Sequence, residues 1–259
     1  YEICACLVGS EMCIRDSVHT DLIAGLPLED YATFARSFDT LHALAPHCIQ
    51  LGLLKLLKGS EMRAVADRSP GWLYSERPPY QVLQTPWLSF AELGRLEDIA
   101  FCVERLYNSG RFALSLPFLV ARFAGPFMFY EAFAGALRAH GCFARPVAYP
   151  ELCAELLRFA EEHFSERETD ALRTLLRFDF FRSDNSGNPP RCLPREAPPH
   201  ARTLYAEKKG GRVHFESFPF DPAAFVRTGE MEIPVVYCFD YARRHPVTGL
   251  YAVTPVPLL

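Results

Sequence analysis

The sequence lacks the long apolar runs and the local motifs that define the commonest functional classes. No hydrophobic stretch reaches the roughly eighteen residues that a membrane-spanning helix needs. No HExxH, no CxxC and no histidine pair at helical spacing occurs, which disfavours a zinc enzyme. A P-loop, a GxGxxG fingerprint and a nucleophile elbow are also absent. Motif scanning alone therefore predicts no active site.

A strong excess of charge is missing too. The 259 residues are 49% hydrophobic and 22% charged, with a formal net charge of −4. This composition is typical of a soluble globular protein. The mild acidity argues against a nucleic-acid or anionic-membrane surface, so we expect neither partner. The default expectation for localisation is the cytoplasm.

Clustered cysteines are likewise absent, because the nine cysteines include no CxxxCxxC loop. The wide spacing is typical of reduced, buried cytosolic thiols, and a dispersed metal site is disfavoured. The six cysteines beyond residue 17 are Cys48, Cys102, Cys142, Cys153, Cys192 and Cys238.

Residues 1–17 show no hydrophobic period of either kind. They read YEICACLVGSEMCIRDS, and the word CLVGSEMCIRDS resembles a sequencing adapter translated in frame. We therefore interpret this segment as an artefact and exclude it from the fold. A genuine, poorly packed N-terminus is the alternative.

Residues 18–60 carry the clearest structural pattern. An apolar run from Val18 stops at the turn Gly25-Leu26-Pro27, where extended structure usually breaks. Asp30 can cap a helix with apolar residues three or four apart, and Pro46 ends it before a second apolar run. A strand–helix–strand of this length predicts a parallel βαβ unit with a right-handed crossover.

The middle of the chain predicts helices. Residues 61–88, rich in proline, arginine and tyrosine, predict an irregular connection. Residues 89–182 predict a bundle of five helices, with capping boxes at Ser89–Glu92 and Ser165–Glu168. Residues 183–200 predict a loop.

Residues 201–259 predict a small antiparallel sheet. The first hairpin would join Arg202–Ala206 to Val213–Phe218 across a glycine-rich turn. The second would join Ile233–Tyr241 to Leu250–Val256.

Asp21 is the first candidate for chemistry. It stands between apolar neighbours on a strand that we expect to be buried on both faces, where an unpaired charge is costly. It lies near the C-terminal end of the strand, where α/β sheets place ligand-binding groups. Alternatively, it pairs with a nearby base or backbone amide and only organises the turn.

The other candidates are weaker. Gly25 supports a bare turn that a ligand could approach, although such turns are commonplace. Lys55 and Lys58 could meet an anion after the second strand, although exposed lysines usually have no such role. Asp179 and Arg182 sit among aromatic residues, and we expect them to form a surface ion pair.

The first segment resembles a known family. HTDLIAGLPLEDYATFARSFDTLHALAPHCIQLGLLKLLKGS is similar to the last third of the radical S-adenosylmethionine (SAM) barrel core, most specifically in DLIAGLP. The following segment, with LSFAEL and ERLYNSGRF, resembles the uncharacterised C-terminal domain of a cobalamin-binding radical SAM subfamily. The resemblance covers residues 18–259 and is weakest in the terminal sheet.

The resemblance implies an α/β plus α+β fold. Residues 18–60 would be the last βαβ unit of a truncated, partial (β/α) barrel, followed by the connecting loop, the helical domain and the small sheet. It implies SAM, a [4Fe–4S] cluster and cobalamin as cofactors, with an unknown substrate. The cluster cysteines, the first strands and the cobalamin domain are not in this sequence. We therefore expect a C-terminal fragment that is inactive alone, with those missing parts as its partners.

The resemblance also implies site residues. Asp21 matches a strand-end aspartate that lies against SAM, where its carboxylate would accept hydrogen bonds. Leu54 and Lys55 fall where the next strand passes the adenosyl group, and Gly25 keeps the turn clear. No residue of this chain is implied as a catalytic group or a metal ligand.

Two other hypotheses remain open. Residues 89–259 could be an interaction or scaffolding module that retains a vestigial βαβ unit. A CxxxCxxC loop upstream in the same reading frame would favour the enzyme, and its absence would favour the module. The least favoured hypothesis is a small α/β enzyme that binds phosphate at the Gly25 turn.

Overall fold

A computed structural model of the protein describes residues 18–207, 211–231 and 233–256. The proposed adapter segment, residues 1–17, lies outside them. The described chain begins with a parallel strand–helix–strand unit: strand β1 (His19–Ala24), helix α1 (Tyr31–Ala43) and strand β2 (Cys48–Leu53). The two strands pair in parallel. The predicted βαβ unit is confirmed.

Helix α1 begins where the sequence predicts. The Asp30 carboxylate accepts a hydrogen bond from the Thr33 amide at 2.8 Å, which satisfies one of the free N–H groups of the first turn. The apolar side of the helix buries Phe34, Phe38 and Leu41. Helix α1 is therefore anchored by a local cap and by its aromatic face.

The connection after β2 is more regular than predicted. Ser60 caps a short helix, α2 (Glu61–Arg68). Strands β3 (Leu73–Tyr74) and β4 (Val82–Gln84) then pair antiparallel. The expectation of irregular structure throughout residues 61–88 is wrong, because the Ser60 cap supports a helical turn and β3 and β4 satisfy each other's backbone groups.

The predicted bundle of five helices is confirmed within the described residues. Its helices are α3 (Phe90–Val103), α4 (Ser115–Val120), α5 (Pro126–Ala139), α6 (Tyr149–His163) and α7 (Glu166–Ser183). Both predicted capping boxes are present, at Ser89 and Ser165. A π-helical turn, Glu104–Asn108, continues α3.

Helix α1 docks on α5 through two different interactions. The Phe38 ring meets Phe127 and Tyr130 edge to face, with centroids 5.8 and 5.6 Å apart. Asp39 accepts a hydrogen bond from the Phe127 amide at 2.7 Å and so caps α5 from outside that helix. A Cβ at Gly125 would lie only 2.5 Å from the Asp39 carboxylate, so this cap needs a glycine there.

The C-terminal region is a three-stranded antiparallel sheet with two short helices. Its elements are α8 (Ala201–Glu207), β5 (Val213–Phe218), α9 (Pro222–Thr228), β6 (Val235–Arg244) and β7 (Tyr251–Val256). The strand order is β5-β6-β7, which confirms the second predicted hairpin. A connected core of buried apolar side chains runs from Ala24 to Phe239. The domain boundaries within it stay predictions.

The first predicted hairpin is wrong, because residues 202–206 lie in helix α8 instead of a strand. Part of the intervening glycine-rich turn, residues 208–210, is outside the described residues. The Tyr205 ring packs 5.0 Å from Phe215, and its hydroxyl accepts a hydrogen bond from the Phe215 amide at 3.1 Å. The packing of α8 against β5 therefore decides that residues 202–206 form a helix and not a strand.

The expected surface pair of Asp179 and Arg182 is also wrong. Asp179 is only 1% exposed. Its carboxylate accepts hydrogen bonds from the Leu114 amide, the Ser115 amide and the Ser115 hydroxyl, at 3.1, 2.9 and 2.7 Å. Asp179 therefore caps α4 from inside the bundle, because α7 is buried around most of its circumference.

This burial gives a pH prediction. Burial raises the pKa of Asp179 from 3.8 to about 6, against the opposing effect of the hydrogen bonds from Ser115 and Leu114. When folding raises the pKa of a carboxyl group, the group stabilises the folded state most at pH values below its pKa in the unfolded chain. This contribution is lost as the pH rises through the pKa in the folded state. Between pH 4 and 7 the stability of wild type relative to Asp179→Asn should fall by about 2 kcal/mol.

Urea unfolding of both proteins across this pH range measures the difference. A difference that is flat, or that rises with pH, would contradict a raised pKa in the folded state.

Candidate functional site

The two faces of the β1–β2 pair differ in burial. Ala24 and Ile49 belong to the face that packs into the core. On the opposite face Asp21 and Gln50, which are partners in the register, are exposed, and Ile23 is 45% exposed. The expectation that β1 is buried on both faces is therefore wrong within the described chain. One face carries a carboxylate beside apolar surface, and no described residue covers it.

The four predicted binding residues divide into two pairs. Asp21 and Lys55 are exposed, and neither side chain forms an ion pair or hydrogen bond within the described part of the chain. Gly25 and Leu54 are buried. The side chains that can meet a ligand are thus the two charged ones.

Gly25 is required by packing within this chain. Its φ of +94° is a conformation that L side chains rarely adopt. A Cβ at this position would lie 2.9 Å from Val82 Cγ1 and 3.6 Å from Leu54 Cβ. The Val82 amide also donates to the Leu54 carbonyl at 2.8 Å. Val82 of strand β4 therefore fills the space beside the turn that the sequence predicts to be clear.

At the other end of the strands, a cavity of about 580 Å³ separates β1 and β2 from the π-helical turn and the β6–β7 hairpin tip. His47, Cys48 and Glu104 line it. Burial raises the pKa of the Cys48 thiol, and the nearby carboxylates of Glu104 and Asp21 raise it further. Cys48 is therefore a protonated thiol and a poor nucleophile.

Asn108 is an important residue that the sequence does not reveal by itself. Its side-chain oxygen accepts from the Ile49 amide at 2.9 Å, and its Nδ2 donates to the Ile49 carbonyl at 2.9 Å. Its Nδ2 also donates to Glu104 at 2.7 Å. Asn108 thus replaces a neighbouring strand at one residue of the β2 edge. The NSGRF motif is the only signal in the sequence, and only the fold shows its role.

Asn108→Asp should destabilise the protein by about 1–3 kcal/mol, because the Ile49 carbonyl would lose its donor. The new carboxylate would also repel Glu104. Urea unfolding gives the free energy difference, with Asn185→Asp, at an exposed residue of the 183–200 loop, as the matched control. Equal stability of the two variants would show that the β2 edge does not depend on Asn108.

Metal-ligating side chains do not cluster in the described residues. Among them no group of three or more His, Cys, Asp or Glu could hold a metal ion. The six described cysteines are free thiols, as predicted. No described helix has both the length and the apolar character needed to cross a bilayer.

These features define a mixed α/β protein in which an aromatic helical bundle carries a small parallel unit and an antiparallel sheet. Residues 70–232 match the family described as Protein of unknown function (DUF4080), and the chain belongs to this family. No curated protein matches the sequence. The matched region contains the bundle, α8, β5 and α9, whereas the β1–α1–β2 unit precedes it.

Proposed function

We propose that residues 18–60 are the last strand–helix–strand unit of a radical SAM barrel, and that the protein acts in SAM-derived radical chemistry on a substrate yet to be identified. The observation that carries this proposal is the uncovered face of a parallel β-strand pair. Parallel sheets are normally covered on both faces. Here Asp21 and Ile23 lie on a face without cover, and β1 pairs with β2 alone within the described residues.

The proposal gives each face a role. The buried face of β1 and β2 packs against the helical layer, as the outer face of a barrel strand does. The uncovered face would then line the barrel interior, with further strands hydrogen-bonded to β1. Asp21 would point toward that interior and accept hydrogen bonds from hydroxyl or ammonium groups of SAM.

Contacts with SAM would come mainly from this strand face. Asp21 and Lys55 have side chains free to bind a ligand within the described chain. The turn at Gly25 and the side chain of Leu54 are covered by Val82, so they support the strand ends from beneath. SAM, when bound with a reduced cluster, would supply the radical.

The residues described here do not fit a [4Fe–4S] cluster. Such clusters are held by cysteine thiolates close together, and the described cysteines form no such group. The proposal therefore places the cluster, and cobalamin, in other parts of the polypeptide. The chain contributes a SAM-facing strand and the helical domain.

Asp21→Asn tests the proposed contact. In the full-length gene product, reconstituted anaerobically with iron and sulfide, equilibrium dialysis should show roughly 10- to 100-fold weaker SAM binding, since a charge-assisted hydrogen bond contributes about 1.5–3 kcal/mol. The matched control is Asp170→Asn, a change at an exposed carboxylate on α7. Unchanged SAM affinity in Asp21→Asn would rule out this role.

Ile23→Lys tests whether the uncovered face is buried in the functional protein. In the 259-residue chain the change should leave the melting temperature unchanged and reduce self-association, because Ile23 is exposed. In the full-length product it should destabilise the fold by more than about 2 kcal/mol, because a barrel interior would bury the charge.

Thermal melts and light scattering of both proteins provide the measurements, with Ile233→Lys as the control at another exposed isoleucine. Equal melting temperatures for wild-type and Ile23→Lys full-length protein would mean that no barrel covers this face.

A non-catalytic module is the second candidate, and one observation favours it. Val82 already fills the space beside Gly25, so the strand ends are partly closed by this chain itself. In that case the uncovered face of β1 and β2 would bind a protein partner. A CxxxCxxC loop upstream in the same reading frame would exclude this candidate as the main function.

A further inference from the structure

A cavity of about 840 Å³ lies where the N-terminus of α6, the C-terminus of α7 and the following loop meet. Tyr149 and Phe180 contribute aromatic surface, and the paired prolines 189–190 contribute a stiff apolar segment. The volume is in the range of about 300–1,000 Å³ that small-molecule sites occupy. The cavity lies within the DUF4080 region and is separate from the β1–β2 strand face.

Two arginines line this cavity without an ionic partner. Arg111 and Arg191 form no ion pair within the described part of the chain, and their side chains donate no hydrogen bond there. The Arg111 guanidinium lies 5.0 Å from the centroid of the Tyr149 ring, which holds it by a cation–π contact. Both guanidinium groups therefore keep donors available.

The acidic residues of the cavity offset this charge only in part. Glu151 is already neutralised by Arg145, whose Nη1 donates to its carboxylate at 2.7 Å. Asp184 accepts from the Ser186 amide at 2.8 Å and is the remaining carboxylate of the lining. Helix α6 opens here without a side-chain N-cap, and Glu151 in its first turn offsets the partial positive charge of the helix N-terminus.

Tyr149 gives the cavity a neutral aromatic wall. Its ring packs against Phe112 and Phe180, with centroids 5.4 and 6.2 Å away. Its buried hydroxyl lies near the Cys153 thiol but makes no hydrogen bond of normal geometry. Burial raises the pKa of this hydroxyl, so the ring stays uncharged and can contact an apolar group.

We propose that this cavity binds a small organic phosphate, with the phosphate between Arg111 and Arg191 and the organic group against Tyr149. A guanidinium fork matches phosphate oxygens in a bidentate way. Two unpaired guanidinium groups balance the charge of a phosphate dianion. The aromatic wall and the paired prolines favour a ligand with an apolar or planar part over a bare ion. This proposal stands independently of the radical SAM proposal.

Isothermal titration calorimetry on the full chain tests the proposal with phenyl phosphate as the probe. We expect saturable one-to-one binding of phenyl phosphate, with inorganic phosphate and benzoate each binding at least tenfold more weakly. Arg111→Gln and Arg191→Gln should each weaken phenyl phosphate binding by tenfold or more. Asp184→Asn should tighten it two- to threefold, because the one uncompensated carboxylate is removed.

Arg158→Gln is the matched control, since Arg158 is an exposed arginine of α6 that does not line the cavity. It should bind phenyl phosphate like the wild type, and circular dichroism melts should confirm that all variants fold. Benzoate binding as tightly as phenyl phosphate would make the site a carboxylate site and overturn the assignment to phosphate. Failure of phenyl phosphate to bind, or binding that survives both arginine changes, would overturn the proposal entirely.

Discussion

The contact between α1 and α5 holds the parallel unit on the helical bundle. Phe38 packs edge to face on Phe127 and Tyr130, and such aromatic pairs add stability beyond the area they bury. Asp39 supplies the cap that α5 lacks in its own sequence. Strand β2 also contacts the bundle, where Asn108 binds the backbone of Ile49, so the attachment of the parallel unit involves helix α1 and strand β2 together. The position of β1 and β2, and hence of the uncovered face, follows from it.

The parallel strand unit and the helical bundle offer different chemistry. The strand unit offers a carboxylate on an uncovered parallel sheet, which is the basis of the proposed role in SAM chemistry. The bundle offers a cavity with unpaired guanidinium groups, which is the basis of the proposed phosphate site. Only the bundle and its neighbouring elements match the DUF4080 family, so the two regions can be tested separately.

Local signals predicted much of the fold correctly. Asp30, Ser89 and Ser165 were identifiable as helix caps because capping depends on residues within one turn. The βαβ unit and the second hairpin have periodic apolar patterns bounded by turn residues. The wrong predictions have a common cause, which is packing between elements that are distant along the chain. Residues 202–206 form a helix because the sheet needs a cover, and Asp179 is buried because α7 is surrounded by other elements.

The sequence by itself determined where most helices begin, that the first two strands run parallel, and that the thiols are dispersed. The helix starts and the thiol spacing depend on residues that are neighbours along the chain, and the parallel direction follows from the length of the helical crossover between the two strands. Tertiary structure alone decided that Asp21 is exposed, that Val82 fills the space beside Gly25, and that Asn108 binds the edge of β2. Each of these depends on contacts between segments tens of residues apart, whose approach no local pattern encodes.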